Sequence, residues 1–444
     1  MRADADSPVH INASRIARNT VWLYLRHLIS FTAGIAAIGI VVKPLGVDGF
    51  GLFSAVSGVA GAICFFGSAL GETFRKFLSR EIGISGEHEV RQVFATALGL
   101  TLTSVIVAFV VLQTVGCAFV FHVLSIPAGI EGSVFLCYEC AICVALSGVL
   151  RVPFESLIYA NERMSRFARA GLFEALCVAL TVMVTMLVPQ GHRLTAYVAM
   201  SVVGEVALLV FLAVMARGFE GFGMHPALRT RIRAEMTEFF FYGLSRAFSV
   251  ALEYIGIGLL VNVFAGVAFS ATWKLATQVG SALYVLVGNF HLSFAPQMMR
   301  LYADSDRRRL VNMVVRTSTV SLSVILCAAV PVMVFAPELV QVWVGVPPPQ
   351  TAAFIRALAV HFVFDALNGP LHCGITAIGN APRYQLVVAA VKVFGFLLAF
   401  MALAFGLSPW FAPAGMAFAN SISFAYRVIV FRSFSRIIRS RCHG

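Results

Sequence analysis

Charge is what this chain has least of. Asp, Glu, Lys and Arg together make up 12% of its 444 residues, 59% are hydrophobic, and the mean hydropathy is +0.87. A soluble chain of this length needs far more charged surface, so a water-soluble globular fold is excluded. Acidic residues are scarcer than basic ones, 21 against 33, which leaves a net charge of +12. The basic residues cluster beside apolar runs, which points to a membrane surface and excludes nucleic acid as the partner. Long polar connections are also missing, as are a P-loop, a Gly-rich phosphate cradle and any soluble catalytic module. Whatever this chain does, it does within the bilayer, and the sequence gives no reason to expect an enzyme. The nine cysteines sit almost entirely inside apolar runs, which argues against a disulfide framework or a thiol catalyst. Cys137, Cys140 and Cys143 recur every third residue, yet no His lies near them. They are expected to be small packing residues, and neither a metal nor a cofactor is expected.

What the chain does have is long apolar runs. Val21 to Val42 and Phe50 to Leu70 flank a tight polar connection, Lys43 to Gly49, and a charged amphipathic exit runs from Glu72 to Gly83. Each run reaches roughly the 20 residues that a helix rising 1.5 Å per residue needs to cross a bilayer. Continuing along the chain gives spans at 21–42, 50–70, 93–115, 132–150, 170–188, 194–215, 239–264, 266–294, 317–335, 352–376, 386–407 and 413–431. The 266–294 run is long and carries Lys274 and Gln278, which predicts a tilt or a kink. If both termini and the even-to-odd connections are placed on one side, that side holds 25 Lys and Arg, and the other holds only Lys43 and Arg193. This asymmetry predicts cytoplasmic termini and a multi-pass protein of the inner (plasma) membrane. The polar first twenty residues precede an apolar run too long for a signal peptide, so the first helix is read as uncleaved.

The halves repeat. Phe53-Ser54-Ala55 recurs as Phe269-Ser270-Ala271, a shift of 216; Tyr24 pairs with Tyr242, a shift of 218; Pro153 and Ala160 match Pro370 and Ala377, a shift of 217. These shifts imply a parallel repeat of six plus six helices, with substrate handled between the halves. The expected division is a first bundle over 1–216, a cytoplasmic amphipathic linker over 217–238, a second bundle over 239–431 and a basic tail over 432–444.

Several strings carry a family resemblance. Asn19-Thr20, Tyr24-Leu25-Arg26 and Leu45-Gly46-Val47 running on through Gly49-Phe50-Gly51-Leu52-Phe53 resemble the opening of polysaccharide transporters of the O-antigen flippase (Wzx) type. Arg75 to Gly83 is similar to the family's segment after its second helix, and Pro153 to Met164 to its connection after the fourth. The second half departs from the pattern more than the first. The resemblance places the chain with the multidrug/oligosaccharidyl-lipid/polysaccharide exporter superfamily. It implies two six-helix bundles around a central cavity, alternating access, and a substrate made of a sugar chain on a polyprenyl pyrophosphate. The fold class expected is thus an all-α integral membrane protein with about 12 transmembrane helices.

Ionisable side chains inside spans cost about 2.5–3.5 kcal/mol each at a helix centre, so each needs a reason. Arg26 and His27 in the first span and Arg246 in the seventh occupy roughly equivalent positions of the repeat. They are expected either to hold a diphosphate in the cavity or to snorkel to the headgroups. Lys274 and Gln278, one turn apart, are further candidates for sugar or phosphate, as is Arg356. His361, Asp365, Asn368 and His372 line one face of the tenth span, and Glu253 and Glu205 lie near the midplane of others. A carboxylate and an imidazole one turn apart can pass a proton, which makes Glu253, His361, Asp365 and Asn368 the ion-coupling candidates. The same row serves equally as an interhelical network that fixes packing. Lys392 and Arg427 are read as snorkelling, and Glu139 has no evident partner.

The function expected is a flippase for a lipid-linked oligosaccharide used in O-antigen, capsule or exopolysaccharide synthesis. The partners expected are the lipid-linked oligosaccharide, anionic inner-leaflet lipids, and a polysaccharide polymerase or glycosyltransferases. A drug exporter of the same architecture is the alternative, disfavoured by mildly basic spans. A glycan polymerase or ligase is less favoured again, because such enzymes present a large outer loop or domain.

Overall fold

The computed structural model describes residues 13–440, apart from 85–86, 127–130, 162, 220, 224–229, 304–306 and 379–380, and among them every regular element is helical. The first hairpin is a single run, α1 (Ala13–Gly61), broken at Gly46, whose φ of 70° and ψ of 170° suit only glycine. Pro44, just before it, has no N–H to offer the preceding turn, so one crossing ends and the next begins within a few residues. The second crossing continues through α2 (Cys64–Ile84), so the charged exit is helical as well.

The third crossing is α3 (Glu87–Val111) and α4 (Cys117–His122), joined by a π-helical turn at Leu112–Gly116. The fourth is α5 (Glu131–Leu150) with α6 (Val152–Ala160), and α7 (Met164–Leu187) and α8 (Arg193–Ala216) are the fifth and sixth. In the second half, α9 (Thr230–Ala251) and α10 (Ile257–Ala265) meet at another π turn, Leu252–Gly256. Then come α11 (Val267–Ala303), α12 (Arg307–Val334), a short α13 (Ala336–Val344), α14 (Thr351–Ala377), α15 (Ala381–Ala404) and α16 (Phe411–Ser440). Among the described residues ten stretches are long and apolar enough to cross a membrane. Dividing α1 at Gly46 and adding α11 completes the twelve. α11 runs as one continuous helix of 37 residues, about 55 Å at 1.5 Å per residue. Twelve crossings leave both ends on one side, the terminal face, opposite the far face. Ile106, Val110, Leu176, Met183 and Leu386 stand exposed around the helices, a surface that lipid covers and water does not.

Within the first half α1 packs on α5 and α7, and α8 packs on α5 and α7; in the second, α14 packs on α11, α12 and α16, and α15 packs on α10 and α16. Each half has its own core. Phe94, Tyr138, Ile142, Leu157 and Leu212 belong to the first, and Leu275, Ile325, Phe354, Leu358 and Met416 to the second. A smaller third core, with Met298, Leu310, Val314, Ile375 and Phe431, closes the terminal-face end of the second half. Residues 224–229, inside the segment expected to link the halves, lie outside the described residues. Thr230 to Glu238 is already helix, continuous with the seventh crossing, and its Met236 is buried in the first core.

The halves meet along α1 with α11 and α2 with α9. At Gly51 a Cβ would stand 2.3 Å from the Val267 carbonyl oxygen, so only a glycine lets these helices approach this closely. One turn on, Ser54 Oγ donates to the Ser270 carbonyl at 3.2 Å. These serines are the residues that the sequence repeat pairs, and they lie in contact across the seam between the halves. The far face is further closed by Asn262, whose Oδ1 accepts the Ser125 N–H at 3.1 Å and whose Nδ2 donates to Ser270 Oγ at 2.9 Å. α13 forms between the spans 317–335 and 352–376, where the hydropathy reading places no helix. Pro337 sits in its first turn, where a missing N–H costs nothing, and Glu338 complements the helix dipole. Trp343 of α13 donates from Nε1 to the Ile35 carbonyl at 2.9 Å and fills the space left by Gly39, where a Cβ would come within 2.5 Å of its Cδ1.

Candidate functional site

Arg151 opens the first polar cluster. It stands between α5 and α6, half-buried, with Nη1 2.9 Å from Glu205 Oε2 on α8 and Nε 3.4 Å from Glu155 Oε1. Glu205 in turn borders a cavity of about 360 Å³ enclosed by α1, α5, α7 and α8, whose polar wall includes Ser57, Glu174, Tyr197, Ser201 and Glu205. One lining residue is contributed by the other half: Lys274 of α11. Among the described residues Lys274 has no ion-pair partner. Gln278, a turn further on, does not line this cavity; its amide packs on Gly34 of the first crossing, where a Cβ would lie 3.3 Å from Nε2. Both residues therefore face the first half, as an interface role requires.

The second cluster gathers around α14. His361 is buried, with Nε2 3.1 Å from the Tyr254 hydroxyl, and its carbonyl accepts from Asn420 Nδ2 at 3.0 Å. Asn368 Nδ2 donates to Asn420 Oδ1 at 2.8 Å, and the Asn368 carbonyl accepts from Arg427 Nη1 at 2.9 Å. The π turn places Glu253 and Tyr254 side by side; Tyr254 reaches His361, while Glu253, also buried, forms an ion pair with Lys392 of α15. Asp365 is half-buried and, among the described residues, makes no hydrogen bond or ion pair. His372 falls outside this group, with Nδ1 3.2 Å from the Tyr384 hydroxyl.

Two readings need correction. Lys392 and Arg427 do not snorkel: each is tied to an interior partner, Glu253 and the Asn368 carbonyl respectively. α15 begins at Ala381, several residues before the span read from hydropathy, so Lys392 lies mid-helix and not near an end. Glu139 also has a partner, since Gln113 Nε2 donates to its Oε2 at 2.9 Å. The cysteine triplet disperses. Cys137 is buried, Cys140 borders the cavity and Cys143 is exposed, because three-residue steps drift by about 120° over six residues of helix. Arg356 is exposed, with Nε donating to the Met333 carbonyl at 2.9 Å, and it lines neither cluster. The side chains of Arg26, His27 and Arg246 lie outside the described residues; their backbones belong to α1 and α9. Sequence reasoning missed Tyr254, Asn420 and the Arg151–Glu205 pair. Asn420 carried a signal, a polar amide inside an apolar span.

Chemically the two clusters differ. In the second, Glu253 and Lys392 neutralise each other, and Asn420 accepts from Asn368 and donates to the His361 carbonyl. In the first, Glu174 and Glu205 border a cavity that Lys274 also lines from across the interface, and Arg151 pairs with Glu205.

No protein-family model matches the chain, and no curated protein matches it either. Solved structures do. A multidrug resistance MATE family transporter of the MOP superfamily, in an inward-facing conformation, superposes with a TM-score of 0.78 at 14% identity, over 93% of this chain and 99% of that one. The lipid II flippase MurJ, inward closed, gives 0.71 at 12% identity, over 93% and 87%. A MOP superfamily transporter from Pyrococcus furiosus, described as having a binding pocket of reverse polarity that suggests a different function, gives 0.68 at 14% identity, over 96% of each chain. The fold is that of the MOP superfamily transporters.

Proposed function

We propose that the chain is a flippase that carries a polyprenyl-pyrophosphate-linked oligosaccharide across the inner membrane for surface polysaccharide synthesis, by alternating access between its two halves. The observation that supports this best is Lys274: a cation from one half projects into a cavity of the other and has no ion-pair partner among the described residues. An ammonium held this way suits a diphosphate, and the hydroxyls and carboxylates of Ser57, Ser201, Glu174 and Glu205 suit the hydroxyls of a sugar. Arg26 and Arg246, at matching places in the two halves, are proposed to receive the diphosphate at the terminal face. Glu253, Asp365 and His361 are proposed as the coupling group. A protein of the same fold is described as a lipid II flippase, which is consistent with a lipid-linked cargo.

Glu174 and Glu205 favour a second reading, export of an organic cation by a chain of the same fold. The two readings separate in proteoliposomes given a prenyl-diphosphate oligosaccharide, with the outer-leaflet fraction followed by a membrane-impermeant lectin. Lys274→Gln removes a charge-assisted contact, so the transfer rate is expected to fall roughly tenfold or more, with Lys274→Arg keeping part of it. Full transfer by Lys274→Gln would sink the assignment. Efflux of a cationic dye that is lost in Glu205→Gln, without any lipid transfer by the unmutated chain, would establish the exporter instead.

A further inference from the structure

A second cavity, of about 570 Å³, lies apart from both polar clusters at the terminal-face ends of α11 and α12. Its walls are mixed. Phe294 and Leu301 of α11 face Arg309, Asn312, Met313 and Arg316 of α12, above the small third core. Arg309, Asn312 and Arg316 are spaced i, i+3 and i+7, so they form one strip over about 10 Å of helix axis. Arg308, their neighbour in the sequence, is exposed but does not line the cavity. Snorkelling alone would bring an arginine to the headgroups without a walled recess around it. Here two arginines and an amide, each itself exposed, line one recess together with Phe294, Leu301 and Met313, and its lining runs along α12 as far as Val320, with Val324 exposed a turn beyond. A head bearing phosphate oxygens fits the polar strip, and hydrocarbon fits the apolar stretch beyond it.

We propose that this cavity is a specific site for an anionic two-chain phospholipid of the surrounding bilayer. Its phosphate accepts from Arg309 and Arg316 in bidentate fashion, its glycerol lies by Asn312, and its chains descend along Val320 and Val324. Apolar walls on both helices give two chains a surface each, which a single prenyl chain does not need. The site is independent of the cargo proposed above and stands whatever the chain transports.

Native mass spectrometry of the delipidated full-length protein, titrated with dioleoyl phosphatidylglycerol or dioleoyl phosphatidylcholine, tests this directly. One phosphatidylglycerol is expected to stay bound under conditions that remove phosphatidylcholine. In Arg309→Gln/Arg316→Gln its affinity is expected to fall roughly tenfold or more, whereas Arg308→Gln leaves it unchanged. Arg316→Gln alone, with a smaller loss, covers the case in which the double variant fails to fold. Equal retention of the two lipids, or an equal loss in Arg308→Gln, would overturn the site. Displacement of phosphatidylglycerol by farnesyl diphosphate or by inorganic pyrophosphate at equal concentration would overturn its assignment to a phospholipid.

Discussion

At the scale of single residues, Lys274 and Lys392 make opposite predictions although both are lysines deep in apolar helices. Lys392 is paired with Glu253, whose side chain is only 3% exposed. Removing one member of such a pair strands the other, at a cost of about 3–5 kcal/mol, whereas removing both is far milder. Lys392→Met and Glu253→Gln should each lower the unfolding midpoint in detergent, and the double variant should recover most of the loss. Additive losses in that cycle would mean that the pair is not coupled. Lys274 has no such partner among the described residues, so Lys274→Met relieves a desolvated charge and should leave stability unchanged or raised while transfer fails. A Lys274→Met protein that unfolds as readily as Lys392→Met would make Lys274 a packing residue. Nothing in the sequence separates these two lysines. Hydropathy registers that a charge lies in a span, but the partner across the helix interface depends on helix rotation, which composition does not encode.

At the scale of elements, the twelve crossings were legible because an apolar run of bilayer length is a property of one segment by itself. α13 was not, because its helix is stabilised by contacts made elsewhere in the chain. Its Trp343 docks on α1 at Gly39, and neither residue predicts the other from the sequence. The row of His361, Asp365 and Asn368 was legible as a face, while the partners Tyr254 and Asn420 are brought to it by a π turn and by α16. If the docking of α13 closes the far face, releasing it should open a path there. Gly39→Leu forces a side chain into Trp343, so α13 must lift. A cysteine at Ser270 should then react faster with a far-face maleimide than it does in the parent. Trp343→Ala should produce the same acceleration by removing the plug, and adding it to Gly39→Leu should bring little more. Unchanged labelling in both variants would mean that α13 rides on the bundle without closing it.

At the scale of the whole molecule, the contact of Ser54 with Ser270 marks the axis about which the halves are predicted to separate. Orientation rests on the 25-to-2 distribution of Lys and Arg, which predicts a cytoplasmic terminal face. In cells, a cysteine at Val346, exposed on the far face, should react with an impermeant reagent, and one at Arg308 should not. The reverse pattern would reverse the direction of transport. The axis contact then gives a sharper test of mechanism. If the halves rock to open the far face, the Gly51–Val267 and Ser54–Ser270 approaches between them must part in every cycle. Cysteines at Ser54 and Ser270, joined by a short bifunctional thiol reagent with a cleavable link, should therefore stop transfer completely. Cleaving the link should restore it, and either single-cysteine variant treated alike should work throughout. A substrate that slides along a surface groove would be indifferent to the link, because the halves need not part. Transfer at the parental rate by the cross-linked protein would thus rule out rocking of the halves about this axis, even if the cargo proved to be the one proposed.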